Sequence, residues 1–308
     1  MEFLYFLEDL RMPWLTRFML LITTLGEETA FLVAALIIFW CVDKYKGYYT
    51  LGVGLVGTLI NQFLKITCRV PRPWVQDESF TIVEEAREAA SGYSFPSGHT
   101  QSAVGTFGAI AAFSKRNWIR IVAVLLAVLV GLSRMYLGVH TPADVLVGAA
   151  QSVALVLLFL PMSQEKGRKL IPWIFSGLLV FSGAYLAYVN LYPFPENIDT
   201  HNFESAVKNA YTLMGCSVGI LIVYFADEKK LQFDTKAVWW AQVLKVILGL
   251  GAVLLVKEGL RSPFEALFHG HLAARALRYC LIVVMAGVIW PLSFRFFGKL
   301  GRAKEDAQ

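Results

Sequence analysis

The sequence predicts an all-α, polytopic membrane bundle of about nine transmembrane spans, and three observations carry that prediction. Long apolar runs recur along the whole chain, 56% of its 308 residues are hydrophobic, and the mean hydropathy is +0.56. The charged residues collect in short stretches between those runs. A run of roughly 17 to 25 apolar residues is the length that crosses a bilayer as a helix.

Taken in order, residues 1–25 are interrupted by Glu8, Asp9, Arg11, Pro13 and Arg17, a pattern that predicts an amphipathic helix lying at the membrane interface rather than a full span. Glu2, Glu8 and Asp9 stand where a cleavable signal would carry basic residues, so the segment is expected to stay in the mature protein. Spans are expected near 29–42, 48–67, 99–114, 119–137 and 142–160, and then near 170–190, 206–226, 237–257 and 274–297. The polar stretch 163–169 divides a front half, 1–162, from a four-span extension of unknown role, 163–308.

Lysine and arginine set the expected orientation. Lys44, Lys46, Lys115, Arg116, Arg120, Lys166, Arg168, Lys169, Lys229, Lys230 and Lys236 fall in alternate loops, and Arg295, Lys299, Arg302 and Lys304 follow the last span. All then lie on the cytoplasmic side of a multi-pass protein of the cell membrane. The net charge of +5 reflects this topology rather than nucleic-acid binding, because no basic stripe is interleaved with exposed aromatics. Cys41, Cys68, Cys216 and Cys280 are scattered singly, in neither a metal-ligand spacing nor a disulfide framework.

Three clusters in the front half carry chemistry. Lys65 is followed by Arg72 between Pro71 and Pro73, a rigid setting for a guanidinium that can hold two phosphate oxygens, with Lys65 as a point charge. In Pro96-Ser97-Gly98-His99, Ser97 suits an N-cap, and Gly98 and His99 fall in a first helical turn, where free N–H groups favour an anion. In the third cluster Ser133-Arg134 precedes His140, and Thr141 caps a helix with Pro142 at its first position. Asp144 can then accept a hydrogen bond from one nitrogen of His140 and leave the other as a nucleophile. Arg134 near the end of a span needs an anion or a polar cavity to offset its insertion cost. Each cluster alone is compatible with ordinary capping and interfacial anchoring; together they read as a phosphate site with two histidines.

Lys-x6-Arg-Pro, Pro-Ser-Gly-His and Ser-Arg-x5-His-x3-Asp, in this order, resemble the three signature motifs of the type 2 phosphatidic acid phosphatase (PAP2) superfamily, which includes lipid phosphate phosphatases and is related to vanadium haloperoxidases. Every signature position is matched, and the resemblance covers residues 29–160. It implies that His140 is the nucleophile that forms a phosphohistidine, Asp144 its orienting partner and His99 the general acid for the leaving alcohol. It assigns Lys65, Arg72, Ser97, Gly98 and Arg134 to the phosphoryl oxygens. The expected activity is a metal-independent phosphatase without cofactors, acting on a lipid monophosphate or diphosphate at the extracytoplasmic face. Its expected partners are the lipid substrate and membrane lipids, with no nucleic acid. A phosphotransferase with a non-water acceptor and a transporter of phosphorylated cargo are the competing classes.

Five features fall outside the motifs. His201, His269 and His271 are expected in solvated or capping roles, and Lys245, inside a span, is expected to snorkel toward the cytoplasmic face. The acidic loop 74–93 is long for a membrane connection and is read either as a lid beside the site or as a solvated amphipathic helix.

Overall fold

In the computed structural model, residues 1–300 are described, and every regular element among them is helical. The chain runs through α1 (Glu2–Asp9), α2 (Pro13–Thr24), α3 (Glu28–Ile37, continued by a π-helical turn at Ile38–Val42), α4 (Lys44–Cys68) and the short α5 (Pro73–Gln76). There follow α6 (Gly98–Phe113), α7 (Asn117–Tyr136), α8 (Pro142–Phe159), α9 (Ile171–Leu191) and α10 (Thr200–Ala226). The last elements are α11 (Trp239–Gly259), α12 (Arg261–Leu267), α13 (Ala273–Val284) and α14 (Phe294–Phe297). Arg302 and Lys304, two of the cations used to orient the chain, lie outside the described residues.

Seven segments among the described residues are long and apolar enough to cross a membrane: Lys44–Gln76, Asn117–Tyr136, Pro142–Ser163, Glu165–Leu191, Thr200–Leu231, Trp239–Leu267 and Ala273–Phe297. Pro13–Thr24 and Glu28–Val42, bent by 52° at the break between them, are long and apolar enough only when taken together, as a broken span or a re-entrant loop. Pro13, rather than ending an interfacial helix, sits at the first turn of α2, where its missing N–H costs nothing. Neither α2 nor α3 alone is long enough to span, so the sequence window around each gives only half the signal. The helix expected near 99–114 is only 16 residues long, about 24 Å at ~1.5 Å per residue. It packs on α7 and α8, with Ala103 clustered with Val130 of α7 and Gly108 close against Val156 of α8.

Contacts group the chain into two compact units. The first is Met1–Ala34, Tyr49–Ser163 and Pro193–Ala206. Within it α6, α7 and α8 pack on one another, and α2 and α1 lie along α7. Arg11 donates from Nε to the Tyr136 carbonyl at 3.1 Å and from Nη1 to the Thr81 carbonyl at 3.0 Å, and Tyr5 donates to Asp77 Oδ2 at 2.8 Å. These bonds hold the 74–93 loop. Leu4 and Phe80 are buried beside Met135 and Val145, while Val83, Ala86 and Ala90 pack with Tyr136, Leu137 and Val139. The loop is therefore a pinned strap with one 3-10 turn at Glu84–Ala86, not a solvated amphipathic helix, because its apolar residues pack into the first unit's core.

The second unit is Ala35–Tyr48, Gln164–Tyr192 and Val207–Gln308. Buried Trp40 donates from Nε1 to the Ala286 carbonyl at 2.9 Å, and the Ser182 and Ser217 hydroxyls meet at 2.7 Å. Asp227, fully buried, pairs with Lys44 at 2.9 Å and accepts from the Phe233 amide at 3.3 Å. Lys245, 1% exposed, donates to the Thr235 carbonyl at 3.0 Å and lies 4.4 Å over the Phe294 ring, so its ammonium is held inside the second unit rather than snorkelling into water as expected. His271 accepts the Ala273 amide at 3.1 Å in a capping role, and none of Cys41, Cys68, Cys216 and Cys280 is in a disulfide.

Candidate active site

The C-terminal end of α4, the N-terminal ends of α6 and α8 and the C-terminal end of α7 meet at one end of the first unit. Lys65 occupies the last turn of α4, which stops at Cys68 ahead of Pro71 and Pro73. Its ammonium donates to the Tyr93 carbonyl. Arg72, extended as the N-cap of α5, donates from Nε to the Gly92 carbonyl at 3.0 Å and from Nη2 to the Ser91 carbonyl at 2.8 Å. Its Nη1 donates to the Val139 carbonyl and to His140 Nε2, both at 2.9 Å. The strap thus supplies three carbonyls to the two cations of the first motif.

Ser97 caps α6 as its position predicts, its Oγ accepting the Thr100 amide at 3.4 Å and the Thr100 hydroxyl at 2.9 Å. The Ser97 amide donates to the Asp144 carbonyl at 3.0 Å, which ties the start of α6 to the first turn of α8. That closeness depends on Gly148, where a Cβ would stand 2.7 Å from the Ser97 carbonyl oxygen. After α7, Gly138 turns the chain with φ of +80°, a conformation glycine adopts without strain, and this sets His140 just outside α8.

His140 is 1% exposed, with Nδ1 3.4 Å from Asp144 Oδ2. Because Nε2 accepts from Arg72, the proton is assigned to Nδ1, facing the carboxylate. Burial first, and then the Arg72, Arg134 and Lys65 cations, hold the imidazole well below the usual histidine range, so it is neutral. Asp144 Oδ2 also accepts the Ser94 hydroxyl at 2.6 Å and the Thr141 amide at 2.8 Å, the latter half of a reciprocal capping box. The capping and orienting roles of Asp144 coexist in one oxygen.

A cavity of about 160 Å³ opens here, and Lys65, Arg72, Gly98, His99 and His140 all line it. Ser97, Arg134 and Asp144 are not on its wall and stand in the layer around it. Arg134 is completely buried and donates from Nη1 to the Thr23 hydroxyl at 2.8 Å, while its Nε and Nη2 have no hydrogen-bond partner. Nε2 of His99 is likewise buried and unpartnered. Among the described residues no group of three His, Cys, Asp or Glu side chains is placed to hold a metal ion.

Three contributors were not singled out from the sequence. Asn61, one turn before Lys65 on the same face of α4, donates from Nδ2 to the Pro96 carbonyl at 3.3 Å. A polar residue at that spacing inside an apolar run was the available signal. Ser94 and Thr23 carry none, because their contacts with Asp144 and Arg134 exist only after the helices pack.

Fold and site together describe a multi-pass membrane protein with a cationic cavity that holds two histidines. The family model described as "PAP2 superfamily" matches residues 45–168, and that described as "PAP2 superfamily phosphatase, transmembrane extension" matches residues 211–304. Similar curated proteins include phosphatidylglycerophosphatase B of Bacillus subtilis (strain 168), 35% identical over 164 residues, which is 49% of this chain and 75% of that protein. Undecaprenyl-diphosphatase BcrC of the same organism is 30% identical over 135 residues, 44% of this chain and 67% of that one. Human sphingosine-1-phosphate phosphatase 2 is 28% identical over 143 residues, 44% of this chain and 35% of that one. No solved structure matches. The chain belongs to the PAP2 superfamily, whose members among these relatives are membrane lipid phosphatases.

Proposed function

We propose that this protein hydrolyses a lipid phosphate through a phosphohistidine formed on His140, at the extracytoplasmic face of the cell membrane and without a metal. The observation that carries the reading is the His140 constellation: a neutral, buried imidazole on the cavity wall with Nδ1 3.4 Å from Asp144 Oδ2 and Nε2 2.9 Å from an Arg72 donor. As substrate binds, the Arg72 Nη1 donor passes from Nε2 to a phosphoryl oxygen. Nε2 then attacks phosphorus, the Nε2–P bond forming as the bond to the leaving oxygen breaks. His99, which takes up a proton as the negative phosphate enters among the cations, gives that oxygen its proton. Asp144 stabilises the developing imidazolium, as an orienting carboxylate does in a hydrolase triad.

Lys65, Arg72 and Gly98, on the cavity wall, hold the phosphoryl oxygens, while Arg134 and the Ser97-capped N-terminus of α6 act on the growing charge from the layer behind them. These cations supply the charge stabilisation that a metal would otherwise provide. Water, activated by the now neutral His99, cleaves the phosphoenzyme and restores His140. The front half, 1–162, is the catalytic core in this scheme, and 163–308 is its membrane extension.

Phosphate release from a panel of lipid phosphates in detergent with EDTA, for wild type and for His140→Ala, tests the reading. Release by the wild type alone, with ³²P retained on enzyme denatured in alkali and lost on acidification, is the expected result. Release that requires an added divalent cation, or that survives His140→Ala, would overturn it.

A further inference from the structure

One turn below the phosphate-facing residues, the same cavity has a second polar layer that the hydrolysis scheme does not use. Asn61 precedes Lys65 by four residues on α4, and Ser102 follows His99 by three on α6, so each lies on the cavity face about 5.4 Å deeper along its helix. Both line the cavity, as does Gln101. Asn61 is 1% exposed and Gln101 2%. Asn61 Oδ1, Gln101 Nε2 and Ser102 Oγ are buried without a hydrogen-bond partner. Buried polar atoms left in that state are costly and rare, so three of them along one cavity point to a ligand that satisfies them.

The donor and acceptor pattern defines that ligand. Asn61 spends its amide hydrogens on the Pro96 carbonyl, so its Oδ1 faces inward as an acceptor, and a Cβ on Gly98 would stand 3.6 Å from it. Gln101 Nε2 is a donor, and the Ser102 hydroxyl is both. A second phosphate group would need donors and cations only, and it would meet the Asn61 acceptor and the Glu28 carboxyl that also lines the cavity. A bare hydrocarbon alcohol would leave all three atoms unsatisfied. A hydroxyl both donates and accepts, and fits.

We infer that Asn61, Gln101 and Ser102 form a leaving-group subsite that selects phosphate monoesters whose alcohol carries a further hydroxyl on the carbon next to the ester, a glycerol-type phosphate, over isoprenoid-type esters and over diphosphates. This rests on the proposed hydrolysis and deepens it. Discrimination works as it does for any site built to bond a substrate hydroxyl: the analogue lacking it strands the protein's own polar groups.

The experiment compares kcat/KM for phosphate release from a 2-hydroxyalkyl phosphate, its deoxy counterpart and the alkyl diphosphate of equal chain length, in detergent. The wild type is expected to prefer the hydroxylated ester at least about tenfold over each competitor. Ser102→Ala and Asn61→Ser are each expected to shrink the hydroxyl-to-deoxy ratio severalfold. Hydrolysis of all three at similar kcat/KM, or a ratio unchanged in both variants, would overturn the subsite while leaving the phosphatase intact. Release from none of the three, by folded wild-type protein, would overturn both readings.

Discussion

Arg134 of the first unit and Asp227 of the second are both charged, and both are completely buried, yet their surroundings differ. Asp227 is answered by Lys44 at 2.9 Å and the Phe233 amide at 3.3 Å. Arg134 has one neutral partner, the Thr23 hydroxyl, and two nitrogens with none. A buried charge compensated by its own chain stabilises the fold it sits in, whereas one left short of partners costs stability and is retained for something that arrives later. Under the proposed function, the contrast is that between a structural ion pair and a group that acts on substrate.

The comparison breaks most visibly at the nucleophile. His140→Ala is expected to reduce phosphate release by more than about 10⁴-fold with the protein still folded, read by single-turnover assay and circular dichroism in detergent. Asp144→Asn follows, with a loss of about 10³ to 10⁴, because an amide in that place no longer fixes the Nδ1–H tautomer. Ser94→Ala removes only one bond to the same carboxylate oxygen and should cost about tenfold.

Arg134→Met and Asp227→Ala test the contrast itself. The first should lower kcat/KM by about 10²- to 10³-fold while thermal stability is unchanged or higher. The second should leave the kinetics near wild type and cost about 3–5 kcal/mol, since it strands Lys44. A destabilised Arg134→Met with normal kinetics would reverse the assignment.

The smallest effect is on pH. His140 is held well below its ordinary range by burial and neighbouring cations, so the folded protein stays unprotonated there while the unfolded chain takes up a proton near pH 6.5. The unfolded state binds more protons in that window. Stability is therefore expected to fall as pH drops below about 6.5 and to continue falling toward the folded-state value. His140→Ala should flatten that part of the profile in a series of melting curves.

How much of this was legible beforehand differs from residue to residue. Lys65, Arg72, His99 and His140 were readable because the chemistry of phosphate needs those side chains and because prolines and caps fix the local backbone around them. Asn61 was hidden in an apolar run that reads as membrane span. The α2 arm of the bent α2–α3 pair was obscured by Pro13 and Arg17, since a window of hydropathy cannot see two short helices joined by a 52° bend.

From the sequence alone came the helical class, the approximate number of spans and the residues that the structure gathers at one cavity, because the bilayer imposes length and apolarity and phosphate chemistry imposes residue type. Only the tertiary structure decided which groups face the cavity and which stand behind it, that the 74–93 strap gives three backbone carbonyls to Lys65 and Arg72, and that Ser94 holds Asp144. Such contacts join residues tens of positions apart, and hydrogen bonding between them has no period for a sequence to display.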